Sequence, residues 1–173
     1  IYLSYANGTI LIVGSKNREG YAWYYLYGFD ARDGGLLWRQ DHPNNRPGIG
    51  GDHGEQIHHP VIVRNIVYAE PCAYDLRTGA RVDTQGNRAA WSMPRRSGCG
   101  TMSASAFCLF YRDSNPSVYD LRPGGGLGKL THVNRPGCWI NIIPAGGLVF
   151  IPEGSSGCTC SYPLQTSIAL TPR

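Results

Sequence analysis

The sequence predicts an all-β fold built from repeated four-stranded sheets. Short segments rich in β-branched and aromatic residues alternate with turn residues along the 173-residue chain, and no window shows a helical period of useful length. An Asp followed by a Gly four residues later recurs at Asp30, Asp75 and Asp120, with a constant step of 45 residues. Four short antiparallel strands in roughly 45 residues is the pattern of one β-propeller blade.

The strand signals group into four units, with approximate bounds 1–42, 43–87, 88–132 and 133–173. The clearest predicted strands cover residues 9–15, 22–30, 60–63, 66–70, 106–112, 139–143 and 148–153. We expect the second unit to take its fourth strand from ARVDT, residues 80–84, and the last unit to supply three strands. The sequence therefore predicts about four blades.

The repeated motif has a physical explanation as a turn. An Asp side chain can accept hydrogen bonds from backbone amides of the turn that follows it, and Gly adopts positive φ without a steric penalty. A Trp one strand later can lie flat on the turn, and only the first unit has one. Because the Asp residues recur at the same place in each unit, we interpret them as structural rather than catalytic. The predicted structural residues are Asp30, Gly34, Trp38, Asp75, Gly79, Asp120 and Gly124.

The segments GFDARDGGLLW, AYDLRTGARVD and VYDLRPGGGLG resemble the Ala-x-Asp-x-x-Thr-Gly-x-x-x-Trp repeat of PQQ-like (quinoprotein-type) β-propellers. The pieces HGEQIHHPVIV and GCTCSYPLQTSIAL also look like segments of large secreted bacterial propeller proteins. That family closes with seven or eight blades, so the resemblance implies that this chain is part of a larger propeller. A rare small propeller and pairing with another chain are the alternatives.

The resemblance also suggests a cofactor site. Quinoprotein dehydrogenases hold a metal ion and the quinone PQQ above a Trp floor, which makes Trp139 a candidate cofactor-binding residue. Packing between blades is the alternative role for this ring.

A second candidate site lies in the link before the second unit. The segment GDHGEQIHH places His53, Glu55, His58 and His59 close together, and imidazole and carboxylate groups suit zinc, copper or iron. The alternative is that these polar side chains satisfy backbone groups in a long link.

Six cysteines favour an oxidising compartment. The candidate disulfide residues are Cys72, Cys99, Cys138, Cys158 and Cys160. Cys99 and Cys138 hold equivalent positions just before the first strands of the third and fourth units, so we expect them to bridge to Cys158 and Cys160. A thiolate metal or redox centre is the alternative. Cys108, inside a predicted strand, is expected to be a small buried apolar residue.

The charge and hydropathy of the chain argue against nucleic-acid binding and against a membrane span. The net charge of +4 is scattered, which argues against a nucleic-acid partner, and no apolar run approaches the ~20 residues of a membrane span. We expect a non-catalytic binding or scaffolding module of a secreted, periplasmic or cell-surface protein. Its partner, another protein or the remaining blades, would occupy the face formed by the blade links. The alternatives are a fragment of a quinone- or metal-dependent oxidoreductase and, given 11 Tyr and 4 Trp, a carbohydrate-binding propeller.

Overall fold

The chain is all-β in a computed structural model, which describes residues 1–44, 59–93, 98–138, 141–153, 164 and 166–172. The described residues form four antiparallel sheets of three or four strands. The chain divides into two compact units, Ile1–Arg95 and Arg96–Arg173, and each contains two of the sheets. Within the described ranges, no helix has the length and apolar character needed to cross a bilayer.

The first sheet is a four-stranded meander in the order β1-β2-β3-β4. Its strands are β1 (Tyr2–Ala6), β2 (Thr9–Arg18), β3 (Tyr21–Asp30) and β4 (Leu36–Pro43). Strands β2 and β3 extend further towards each other than predicted, because a two-residue turn at Glu19 and Gly20 joins them. Both turn residues have positive φ, 53° and 81°, which matches the right-handed twist of a tight hairpin.

The second sheet has three strands, β5 (Val61–Val63), β6 (Ile66–Ala69) and β7 (Cys72–Asp75). The fourth strand expected at residues 80–84 was wrong, since only one bridge forms there, between Tyr74 and Arg81. The carboxylate of Asp83 accepts hydrogen bonds from the backbone amides of Gln85 and Asn87, at 2.8 and 2.9 Å. These bonds turn the chain away from the sheet edge, as Asp side chains often do.

The third and fourth sheets lie in the second unit. The third has the order β11-β10-β9-β8, and the fourth has the order β12-β13-β14. The strands are β8 (Ser103–Ala104), β9 (Cys108–Asp113), β10 (Asn115–Asp120), β11 (Leu127–Lys129), β12 (Ile143–Ala145), β13 (Leu148–Ile151) and β14 (Ile168–Leu170).

The first strand of the fourth sheet begins later than the predicted 139–143. Strand β12 starts at Ile143, and residues 139 and 140 lie outside the described ranges. The carbonyl of Ile142 accepts a 2.6 Å hydrogen bond from the Ser103 hydroxyl rather than a strand amide. This bond ties the approach to β12 to the third sheet.

Side-chain alternation gives each unit its core. Every second residue of β3 is buried, and these residues face the second sheet. In the first unit the core includes Leu11, Val13, Tyr24, Leu26, Trp38, Val67, Tyr74 and Leu76. In the second unit it includes Phe110, Ile142 and Ile151.

Candidate functional site

The three Asp–Gly turns share three local features, although the amide of Asp120 donates to a carbonyl six residues later and the amides of Asp30 and Asp75 donate to one five residues later. The carboxylates of Asp30, Asp75 and Asp120 each accept a hydrogen bond from the backbone amide two residues later, at 3.0, 3.0 and 2.9 Å. The glycine four residues after each Asp has positive φ, between 68° and 76°. The residue after each Asp donates its amide to a carbonyl in the turn between the first two strands of its sheet, at 2.8–2.9 Å. Each Asp therefore fixes its own turn, and the residue after it ties that turn to a second turn of the same sheet.

Arginines bind two of these carboxylates. Asp30 is bound by Arg32 at 2.8 Å and by Arg77 of the second sheet at 2.6 Å. Hydrogen bonds from Arg32 and then Arg77 hold the pKa of Asp30 well below its usual range. Hydrogen bonds from Arg122 lower the pKa of Asp120 to about 2. Both carboxylates are thus fully ionised at neutral pH and already engaged within the chain.

The first sheet is locked to the second through Trp38. Its indole Nε1 donates a 2.9 Å hydrogen bond to the Leu76 carbonyl, and its ring lies against Gly79, where a Cβ would come within 2.7 Å. Beside it, Gln40 donates to the Gly79 carbonyl at 2.9 Å. The ring therefore covers the turn of the next sheet, and not the turn of its own.

The predicted metal residues are mostly outside the described ranges, which exclude His53, Glu55 and His58. His59 is described, and its ring stacks on Tyr2 with centroids 4.7 Å apart. Partial burial lowers the pKa of His59. Among the described residues, no group of three His, Cys, Asp or Glu side chains could hold a metal ion. The candidate quinone floor, Trp139, also lies outside the described ranges.

Sequence reasoning missed a buried polar group around His42 in the first unit. One imidazole nitrogen lies 2.8 Å from the Tyr74 hydroxyl, and the other lies 3.2 Å from the Glu70 carbonyl. Burial lowers the pKa of His42 to about 4 and raises the pKa of Tyr74 above its usual range. The group is neutral at pH 7 and joins β4 to the second sheet. Its sequence signal is weak, because a His near a strand end is common.

The described part of the chain contains no disulfide bond. Cys72, Cys108 and Cys138 have free thiols, Cys99 is half-buried, and Cys158 and Cys160 lie outside the described ranges. The bridges expected from Cys99 and Cys138 to Cys158 and Cys160 therefore stay predictions. Cys72 is buried beside Tyr74, and burial raises its pKa.

The second unit contains the most unusual polar cluster of the described residues. The guanidinium groups of Arg112 and Arg135 both donate to the Cys138 sulfur, each at 3.4 Å. The two arginines are 0% and 1% exposed, whereas most arginines in proteins are on the surface. We call Arg112, Arg135 and Cys138 the guanidinium–thiol cluster. Two buried cations on one sulfur form a site that can stabilise negative charge on that sulfur.

An apolar cleft of about 480 Å³ separates the third and fourth sheets. Cys108, Phe110, Leu130, Val149 and Leu170 are among the side chains that line it. Cys108 was expected to be buried, but it is half-buried at the wall of this cleft. Burial and then the Asp120 carboxylate raise the pKa of its thiol. Cys108 and Cys138 are both half-buried, but of these two sulfurs only that of Cys138 accepts hydrogen bonds from guanidinium groups among the described residues.

Comparisons with known proteins identify no family for this chain. No protein-family model matches the sequence, and the search of curated proteins finds no similar sequence.

Proposed function

We propose that this chain is a non-catalytic scaffolding module of a PQQ-like β-propeller, and that the outer face of its first sheet binds a further β-sheet. The observation that carries the proposal is the apolar character of this face. Its residues sit on alternate positions of four paired strands, on the side opposite the core. We call this surface the aromatic face; its members are Leu3, Tyr5, Ile10, Ile12, Tyr25, Tyr27, Phe29 and Leu36.

The strand register arranges the aromatic face in rows. One row crosses all four strands through Tyr5, Ile10, Phe29 and Leu36. Tyr5 is 65% exposed and Leu36 is 58% exposed. A neighbouring row begins at Leu3, which is 64% exposed. Contiguous exposed apolar surface of this kind marks interaction sites in soluble proteins, so a partner with an apolar face is expected to cover it.

The contact between the first and second sheets supports a sheet as the partner. The core face of the first sheet is already covered by a second sheet through Trp38 and the salt bridge from Arg77 to Asp30. Repeat proteins stack such units so that each one buries its apolar faces on its neighbours. We infer that the aromatic face receives the next sheet of the stack. For the chain by itself, the available occupant is a second copy.

The non-catalytic part of the proposal is supported by how the repeated carboxylates are used. Asp30, Asp75 and Asp120 all accept hydrogen bonds from their own turns. Arginines hold Asp30 and Asp120 in addition. These groups stabilise corners of the sheets, which is a structural role.

Sedimentation velocity over a range of concentrations tests the docking proposal. We expect the wild-type chain to self-associate and a Leu3→Lys/Tyr5→Lys variant to remain monomeric, because buried lysines oppose docking. Phe107→Lys is the matched control, since Phe107 is 49% exposed, belongs to the second unit and is not a member of the aromatic face. A monomeric wild-type chain, or association unchanged in the double variant, would contradict the proposal.

Carbohydrate binding is a second candidate for the same face, favoured by its four aromatic residues. Tyr27 and Phe29 stack with centroids 6.5 Å apart, and Tyr5 lies in the same row as Phe29. Aromatic rings can serve as platforms for sugar rings. Titration with soluble oligosaccharides, followed by intrinsic fluorescence, distinguishes the two candidates. A saturable change abolished by Tyr5→Lys would favour the sugar, and no change would leave the sheet as occupant.

A further inference from the structure

We propose that Cys138 is a reactive thiol that hydrogen peroxide oxidises to a sulfenic acid. The guanidinium–thiol cluster carries this inference, and the inference does not depend on the scaffolding proposal. Arg112 donates from Nη1 and Arg135 donates from Nη2, both to the Cys138 sulfur at 3.4 Å. A cation beside a cysteine favours the thiolate, which is the nucleophilic form.

Buried segments of the second unit hold the guanidinium groups of Arg112 and Arg135 beside the Cys138 sulfur. Arg112 lies in β9, a strand of the third sheet, and is fully buried. Arg135 follows Asn134, which is also fully buried and donates from its amide to the Thr166 carbonyl at 2.7 Å. Both arginines are therefore held by packing within hydrogen-bond distance of the sulfur. A pre-positioned cation loses little entropy when charge develops on its partner.

Two glycines and an asparagine extend the cluster. A Cβ at Gly98 would lie 2.9 Å from the Arg112 side chain, and a Cβ at Gly100 would lie 2.8 Å from the Cys138 carbonyl. Asn141 is 2% exposed, and its Nδ2 donor lies against Gly100 at the same place. That donor has no hydrogen-bond partner in the part of the chain that the structure describes. A buried donor without a partner costs stability, which points to an acceptor that binds beside Cys138.

The chemistry is a two-electron transfer from sulfur to peroxide. The Cys138 thiolate attacks one peroxide oxygen, so that an S–O bond forms as the O–O bond breaks. The departing hydroxide takes a proton from solvent and becomes water. Sulfur is oxidised to the sulfenic acid, peroxide is reduced, and the donors around the sulfur stabilise the charge that moves between these atoms.

Cys108 and Cys72 supply internal controls. Cys108 is half-buried like Cys138, but burial and the neighbouring Asp120 carboxylate raise its pKa. Cys72 is 4% exposed, and burial raises its pKa too. The structure therefore predicts that Cys138 reacts first, Cys108 later and Cys72 last.

The test measures the rate at each cysteine in the full chain. The protein is reduced, desalted and treated briefly at pH 6 with iodoacetamide, or with hydrogen peroxide and dimedone, and each site is quantified by mass spectrometry. We expect Cys138 to react at least about tenfold faster than Cys108, because the reactive form is the thiolate. A Cys138 rate equal to or below that of Cys108 would overturn the proposal.

Variants of the arginines connect the reactivity to the cluster. Arg112→Gln and Arg135→Gln are each expected to lower the Cys138 rate several-fold, and Arg135→Lys, which keeps the charge, to lower it less. An unchanged Cys108 rate shows that the second unit is still folded. If the Cys108 rate rises in a variant, that variant has unfolded. The proposal is then judged by the Cys138 and Cys108 rates of the wild-type chain alone. A normal Cys138 rate in both folded Gln variants would contradict the assigned role of the guanidiniums.

Discussion

The indole Nε1 of Trp38 donates a 2.9 Å hydrogen bond to the carbonyl of Leu76, so a ring from the first sheet caps the turn of the second. The same ring fills the space that a side chain at Gly79 would need. The Asp–Gly turn thus does two things: it closes its own sheet locally, and it presents a flat surface and a carbonyl to its neighbour. This contact is one of several links between the first two sheets, beside the Arg77–Asp30 salt bridge and the His42–Tyr74 contact.

Two substitutions of Trp38 distinguish the contribution of its ring to stability from the contribution of its hydrogen bond. Trp38→Phe leaves the Leu76 carbonyl without its buried donor and is expected to cost about 1–3 kcal/mol. Trp38→Ala also removes the ring and should cost about 3–5 kcal/mol. Urea denaturation followed by circular dichroism measures both free energies of unfolding.

The matched control for Trp38 is Trp23→Phe. Trp23 is half-buried on the outer face, and its Nε1 has no hydrogen-bond partner among the described residues. Its replacement should therefore cost less than Trp38→Phe. Equal costs for the two Phe variants would show that the Leu76 bond contributes nothing.

Gly79 and Gly34 form a matched pair with the same backbone conformation and different surroundings. Their φ values are 68° and 73°. Ala at either position is forced into a left-handed conformation, which should lower the free energy of unfolding by about 1–2 kcal/mol. A Cβ at Gly34 meets nothing within 4 Å, whereas one at Gly79 meets the Trp38 ring at 2.7 Å. Gly79→Ala should cost about 1–3 kcal/mol more than Gly34→Ala, because the contact is overpacked. Urea midpoints of the two variants compare them, and similar losses would mean that the ring moves aside freely.

His42 makes the first unit sensitive to mild acid. Burial lowers its pKa from 6.5 to about 4, so the unfolded chain binds a proton that the folded chain excludes between these values. Stability from this residue is complete above pH 6.5 and is lost as the pH falls towards 4. Urea midpoints measured from pH 7 to pH 4 should fall with pH in the wild type and fall less steeply in His42→Gln.

The exposed residue His132 provides the control for this pH dependence. His132→Gln removes an imidazole from the surface and is the matched variant against which His42→Gln is compared. His59, whose pKa is also lowered by partial burial, adds to the slope in all of these proteins. If His42→Gln and the wild type lose stability in parallel, the pH dependence comes from other groups.

The sequence predicted the strands and the turns that carry the repeated motif. Asp30, Asp75 and Asp120 end strands in three different sheets, where each accepts the expected amide hydrogen bond. The prediction went wrong at residues 80–84, where the side chain of Asp83 competes with strand pairing. The path of this polar loop is set by local side-chain hydrogen bonds of Asp83. The repeat pattern, which predicts strands from their spacing, does not predict such bonds.

What the sequence alone determined is therefore local: an Asp, a Gly and their intervening residues specify a turn through bonds that span at most a few positions. The tertiary structure alone decided that His42 meets Tyr74, 32 residues away, and that Arg112 meets Cys138, 26 residues away. These contacts have no period and no motif, because they depend on which sheet faces pack together. Packing buries Arg112 and Arg135 and places the Cys138 sulfur within 3.4 Å of both guanidinium groups. No sequence pattern predicts this arrangement.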